Sequence, residues 1–165
     1  MLKDKVQKVL NKQLNEELYS SYAYLSMSAH FSSQNLDGMA HWLRLQSQEE
    51  YMHAMKIFDY INQRNGKVSL LKVEPPKTGW KTPLDIFQEA YNQERDVSKS
   101  IDEIVELAFN EKDHATYAFM QWFVTEQVEE ESTALKILDE VKLVGDSKNG
   151  LYLLNKELGQ RATAA

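Results

Sequence analysis

The chain has no cysteine, which excludes disulfides, thiolate metal sites and cysteine nucleophiles together. Glycine and proline are scarce, six and three in 165 residues, and they cluster. Long stretches are therefore free of the residues that break helices. No run approaches the ~20 apolar residues that cross a bilayer, so no membrane partner is expected. Positive charge is the minority sign, 19 Lys and Arg against 25 Asp and Glu, for a formal net charge of −6. That balance argues against nucleic acid and makes cations plausible partners. The first residues enter a helical pattern directly, with no apolar run and cleavage site, so a cytoplasmic location is expected. The length suggests one domain, residues 1–165, with room for a sizeable core.

What is present is almost entirely helical in period. Val6, Leu10, Leu14, Tyr24 and Phe31 recur at helical spacing through residues 5–32. Asn35, Leu36, Asp37 and Gly38 break this pattern and supply a cap for a second helix over residues 37–65, which Gly66 ends. Residues 66–81 hold Pro75, Pro76 and Gly79 and are not helical. Thr82 as cap, Pro83 in the first turn and Asp85 reaching back start a third helix that runs to residue 110. Asp113 caps a fourth over residues 114–144, and Gly145 stops it. Leu151, Leu154 and Leu158 mark a short fifth helix over residues 149–158.

The non-helical stretch decides the topology. A helix of about 27 residues is roughly 40 Å long. About sixteen extended residues reach roughly 50 Å, enough to return along the whole bundle. The other connections are too short to do so. The expected fold is all-α, a four-helix bundle with one long crossover and a short fifth C-terminal helix. Val68, Ser69, Leu70 and Leu71 are apolar for a loop and fit either packing on the bundle or a subunit contact.

Polar residues interrupt every core stripe. Glu50 and His53 lie three apart among Met39, Leu43, Gln46, Ile57 and Tyr60, so both leave one buried face. Glu17 interrupts the first helix between Leu10 and Tyr24. Glu94 interrupts Phe87, Tyr91, Ile101 and Val105 in the third, and Gln127 and Glu130 interrupt Met120, Phe123, Ala134 and Ile137 in the fourth. Each falls near the middle of its helix, so in a bundle they converge at one height. A single such residue reads as a satisfied core contact. The whole set, with no Lys or Arg on the stripes, calls for cations, because converging carboxylates repel strongly. Carboxylates with one imidazole suit iron or manganese. Glu49, Glu126 and Glu129 flank the stripes, where a solvated face is the competing reading. Glu16 and Glu131 read as surface, His30, His41 and His114 as ordinary, and the tyrosines and tryptophans mainly as core.

Four segments carry a resemblance over essentially the whole chain: Asn15 to Ser20, Gln48 to His53, Tyr91 to Glu94 and Gln121 to Glu130. In these the sequence resembles the non-haem ferritins of bacteria and archaea, of the ferritin-like di-iron family. The tail from Gly150 to Leu158 is similar to the family's short fifth helix. The resemblance implies iron storage with ferroxidase activity, in a homo-oligomeric 24-subunit hollow cage. Fe(II) is oxidised with O2 at a di-iron centre, and Fe(III) is stored as a mineral. It implies Glu17, Glu50 and His53 at a first iron site, and Glu50 bridging to a second with Glu94 and Glu130, Gln127 close by. It also implies a third site at Glu49, Glu126, Glu129 and Glu130, and Tyr24 beside the centre. The resemblance further implies Trp122 as an electron donor.

Departures narrow the resemblance. The family's haem-bearing and rubrerythrin-like relatives carry a second Glu-x-x-His in the fourth helix; here Thr133 stands where that histidine would be. The methionine that would hold haem is replaced by Tyr51, so no haem is expected. Tyr117 and Met120 stand where animal ferritins line an acidic channel, which leaves the route for iron open. Two alternatives remain from the residues: a di-iron peroxidase using H2O2, or a non-catalytic helical assembly protein with a structural metal.

Overall fold

The computed structural model describes residues 1–163; the last two residues of the expected 1–165 domain lie outside the described residues. The helices are α1 (Asp4–Ser33), α2 (Asp37–Gln63), α3 (Pro83–Asn110), α4 (His114–Val144) and α5 (Lys148–Leu158). None of them is long and apolar enough to cross a membrane.

Local chemistry sets their ends. Thr82 and Asp85 form the expected reciprocal capping box, and Asp113 accepts from Thr116 N at the start of α4. Ser147 caps α5 through Gly150 N, so that helix begins one residue earlier than its apolar pattern suggests. At the C-termini of α1, α2 and α3, Asn35, Asn65 and Lys112 turn to φ 59°, 53° and 55°. The next N–H in each case bonds back across the turn: Leu36 to Phe31, Gly66 to Ile61, Asp113 to Ala108. Asn65, not Gly66, therefore ends α2. The cap expected from residues 35–38 is also replaced: no side chain of that turn caps α2. Asn155 Oδ1, from α5, accepts from Met39 N at 3.0 Å instead.

α1 and α2 run antiparallel, pinned by Ser21 Oγ on the Ser47 carbonyl and Ser47 Oγ on the Ser21 carbonyl, both 2.7 Å. α3 lies antiparallel to α1, with Phe31 stacked on Phe87 at 5.7 Å, and α4 antiparallel to α2. α2 and α3 are thus parallel, which only a long crossover permits. Residues 64–82 make that crossover along α1. Asn11 donates to the Lys67 carbonyl (3.0 Å) and accepts from Ser69 N (2.7 Å). Further along, Ser26 Oγ donates to the Lys77 carbonyl (2.6 Å), and Trp80 packs on His30 at 5.3 Å. Val68 packs on the bundle, but Leu70 and Leu71 stand 68% and 52% exposed.

The apolar core is in two parts. One end is built around Phe31, Met39, Leu43, Phe87 and Leu138, the other around Leu10, Leu14, Ile57, Ile101 and Phe123. Between them lies a layer of buried polar side chains. On α3 the buried positions are Ile86 and then Phe87, Ala90, Glu94, Val97, Ile101, Ile104 and Ala108, which from Phe87 onward are spaced alternately by three and four. The expected Tyr91 and Val105 lie on the flank, half-buried. The aromatic expectation also needs correcting. Tyr24, Tyr60, Trp42 and Trp80 are buried, whereas Tyr19, Tyr22, Tyr51, Tyr117, Tyr152 and Trp122 are exposed.

Candidate metal centre

The polar layer is the convergence predicted from helix midpoints. Glu17 (0% exposed), Glu50 (1%), His53 (5%), Glu94 (1%), Gln127 (4%) and Glu130 (8%) all lie in it. Among the described residues, three groups each offer ligand atoms within 4.8 Å of one another: Glu17, Glu50 and His53; Glu50, Glu94 and Glu130; and His53, Glu126 and Glu130. Glu50 joins the first two groups, which form an inner pair. Glu130 and His53 join that pair to the third, outer group.

The inner pair is short of partners. Glu17 Oε2 and Glu50 Oε2 are buried without a hydrogen-bond donor. At an effective dielectric of ~20, two carboxylates ~4 Å apart repel by ~4 kcal/mol. The metal-free protein answers by holding protons. Burial, then the Glu50 charge, pushes the Glu17 carboxyl well above the usual carboxylate range. Burial and Glu94 do the same to Glu50. Burial also raises Glu94, against the hydrogen bonds it receives from Tyr24 and Gln127. Burial and Glu94 push Glu130 up to about 7. A cation among these carboxylates would relieve the repulsion that raises their pKa values.

A shell of donors aims these carboxylates. Tyr24 Oη donates to Glu94 Oε1. Burial and the Glu94 charge hold the Tyr24 hydroxyl well above its ordinary pKa, so it remains a donor. Gln127 Nε2 donates to Glu94 Oε2 (3.2 Å) and to the Glu94 carbonyl (3.2 Å), which makes it a neighbour that steadies Glu94. Two glutamines outside the expected ligand set belong here. Gln13 Nε2 donates to Glu17 Oε1 (2.8 Å), with its own oxygen accepting from Ser100 Oγ (2.6 Å). Gln46 Nε2 donates to Glu130 Oε2 (2.6 Å) and Glu50 Oε1 (3.3 Å). Each glutamine sits one turn before a carboxylate of the layer, Gln13 before Glu17 and Gln46 before Glu50, and that repeated spacing was the available signal.

The outer residues divide. Glu126 Oε1 lies 3.9 Å from His53 Nε2, and His53 Nδ1 lies 3.5 Å from Glu50 Oε2. Glu49 is instead paired with Arg161 at 2.6 Å, and Glu129 is exposed and outside all three groups. The expected quartet of Glu49, Glu126, Glu129 and Glu130 is therefore not the set these side chains form. A surface cavity of about 480 Å³, lined by His53, Glu49, Glu126, Met52, Lys56 and Trp122 among others, opens onto this outer group. Trp122 packs edge-on against His53 at 5.4 Å, with Lys56 Nζ 4.2 Å above its ring. Glu16 pairs with Lys12 at 3.3 Å, as its spacing suggested.

Comparison with known proteins agrees with the fold. The ferritin-like domain family matches residues 7–144. The bacterial non-heme ferritin of Bacteroides fragilis (strain 638R) is 45% identical over 161 residues, 98% of this chain and 100% of that protein. That of Campylobacter jejuni is 40% identical over 156 residues, 94% of this chain and 93% of that protein. Among solved structures, a closed form of the Archaeoglobus fulgidus ferritin made by site-directed mutagenesis superposes with a TM-score of 0.98. It has 47% identity and covers 99% of this chain and 100% of its own. The open pore ferritin of the same hyperthermophilic archaeon gives 0.96 at 48% identity, covering 98% of each chain. The buried carboxylate layer, the single long crossover and these full-length likenesses lead to one conclusion: the chain belongs to the non-haem ferritins of the ferritin-like di-iron family.

Proposed function

We propose that this protein stores iron and is a ferroxidase: it binds two Fe(II) ions as substrate in the inner pair of groups and oxidises them with O2. The observation that carries this is the pair of donorless buried oxygens on Glu17 and Glu50, within a cluster of carboxylates that otherwise holds protons. Oxygen donors with one imidazole suit iron. Glu17, Glu50 and His53 hold one ion, and Glu50, Glu94 and Glu130 the other, with Glu50 between them. Each Fe(II) gives one electron, so O2 receives two together and, with two protons, leaves as H2O2. The carboxyl protons displaced when the ions enter are the local source.

The chain's own residues do the remaining work. Tyr24 and Gln127 fix Glu94, Gln13 fixes Glu17, and Gln46 fixes Glu50 and Glu130, so the ligands are aimed before iron arrives. The two apolar core clusters exclude water above and below the layer. Glu126 with His53 and Glu130 offers a third position beside the outer cavity, through which Fe(III) leaves for storage as a mineral. Residence in a homo-oligomeric 24-subunit cage completes the reading. The exposed Leu70, Leu71, Phe109, Tyr152 and Leu153 are apolar surface that a monomer has no use for.

Stopped-flow addition of Fe(II) in air, followed by oxygen uptake and oxide absorbance, tests this. Rapid uptake of one O2 per two Fe(II), lost in Glu50→Ala with His53→Ala, is expected. Oxidation no faster than buffer would refute it, and rapid oxidation by H2O2 alone would mark a peroxidase.

A further inference from the structure

One hydrogen-bond system enters the polar layer from outside the bundle. Arg161 follows α5 and is carried to α2 by the Asn155 cap on Met39 and by the close Gly38–Gly159 contact. Its guanidinium serves α2 alone. Nη1 donates to the Trp42 carbonyl (3.2 Å) and to Gln46 Oε1 (3.0 Å), while Nη2 donates to Glu49 Oε2 (2.6 Å). The same group lies 4.6 Å from the Trp42 ring centroid, and the Arg161 carbonyl lies 2.8 Å from His41 Nε2.

Donor counting gives this fork a consequence. A guanidinium has donors only, so Gln46 must show it an oxygen. The Gln46 NH2 is thereby turned to Glu130 and Glu50, which in their charged forms only accept. With the other nitrogen the same fork holds Glu49, whose charge is felt at Glu130, away from the outer group. Glu130 is the carboxylate common to the inner pair and the outer group.

We infer that Arg161 is a positioning residue of the metal centre. It fixes Gln46 against Glu130 and Glu50, which favours the inner pair, and it withholds Glu49 from the outer group. The inference rests on the reading that these groups bind metal.

The test is Co(II) titration of the metal-free, assembled protein, read from visible absorbance, with Glu17→Ala/Glu50→Ala and Glu126→Gln, each confined to one of the two, used to assign inner and outer bands. In Arg161→Met, which keeps an apolar stem over Trp42, inner affinity should fall about tenfold and outer affinity rise about tenfold. A residue that merely props up the fold would weaken both, and that result, or no change in either, overturns the inference. Glu49→Gln supplies a second test that leaves the arginine in place. It should change outer affinity less than about twofold with Arg161 present, and return Arg161→Met to the starting outer affinity. A tenfold loss on Glu49→Gln alone would show Glu49 already serving the outer group and would also overturn it. If the unaltered protein shows no Co(II) band that Glu17→Ala/Glu50→Ala removes, the metal reading itself fails, which separates the two failures.

Discussion

Tyr24 on α1 donates its hydroxyl hydrogen to Glu94 on α3, two buried groups that meet across the bundle at the height of the carboxylate layer. The bond has a direction: it lowers a carboxyl pKa that burial raises. Tyr24→Phe removes the donor and leaves Glu94 Oε1 facing an apolar ring. The Glu94 proton should then be held more tightly, so half-maximal Fe(II) oxidation should move to higher pH. The rate at neutral pH should fall by about tenfold. Stability should drop by about 1–2 kcal/mol, measured in urea on the metal-free protein. An unchanged pH profile would remove Tyr24 from the site.

Glu130 makes the pH dependence specific. Its carboxyl is raised to about 7, so it is mostly protonated at pH 6 and mostly ionised at pH 8.5. A cation displaces that proton. Adding Zn(II) to the metal-free protein in weakly buffered solution should therefore release more protons at pH 6 than at pH 8.5, read by a pH indicator. Equal release at both would show that the carboxyl is not raised.

The same shift sets a stability trend. The folded-state pKa lies above the ordinary value of 4.5, so folding binds protons here. The favourable contribution is complete below pH 4.5 and is lost as pH rises through about 7. For Glu130 it is on the order of 3 kcal/mol. Between pH 5 and 8 the metal-free protein should lose melting temperature from this cause, and protein loaded with Zn(II) should not.

Gly38 tests how α5 is attached. A Cβ at this position would lie 1.7 Å from the Asn155 carbonyl oxygen, a backbone atom that cannot swing aside. Gly38→Ala should force α5 from α2, cost about 1–3 kcal/mol and raise hydrogen exchange across Lys148–Leu158. Gly79 has nothing within 4 Å of its would-be Cβ, so Gly79→Ala should leave exchange there unchanged.

Much of this was legible in the sequence. Carboxylates on apolar stripes are conspicuous because the helical period fixes which residues share a face. The length of the proline-bearing stretch fixed the crossover. On α3 the apolar pattern points to Tyr91 and Val105 as stripe residues, whereas Val97 and Ile104 take the inward positions. Large residues on a helix flank look inward in a one-dimensional pattern, and the same error put most tyrosines in the core. Gln13 and Gln46 are harder to find: an uncharged amide demands a partner less than a carboxylate does, and neither is flanked within its segment as Gln127 is by Glu126, Glu129 and Glu130. Arg161 lies beyond the last helix, where no periodicity points it anywhere, and its reach to Gln46 and Glu49 exists only once α5 has docked. Which acids gather around His53 also depended on that docking, since Arg161 takes Glu49.

The central claim is that the inner carboxylates bind Fe(II) in pairs and pass two electrons to one O2. The most direct test is anaerobic Fe(II) titration followed by a pulse of O2, with oxygen consumption recorded in stopped flow. The account predicts tight uptake of two Fe(II) per subunit in the inner pair and rapid loss of one O2 per two Fe(II), both abolished in Glu50→Ala with His53→Ala. Oxidation at the rate of buffer alone, or equal rates in protein and variant, would contradict it.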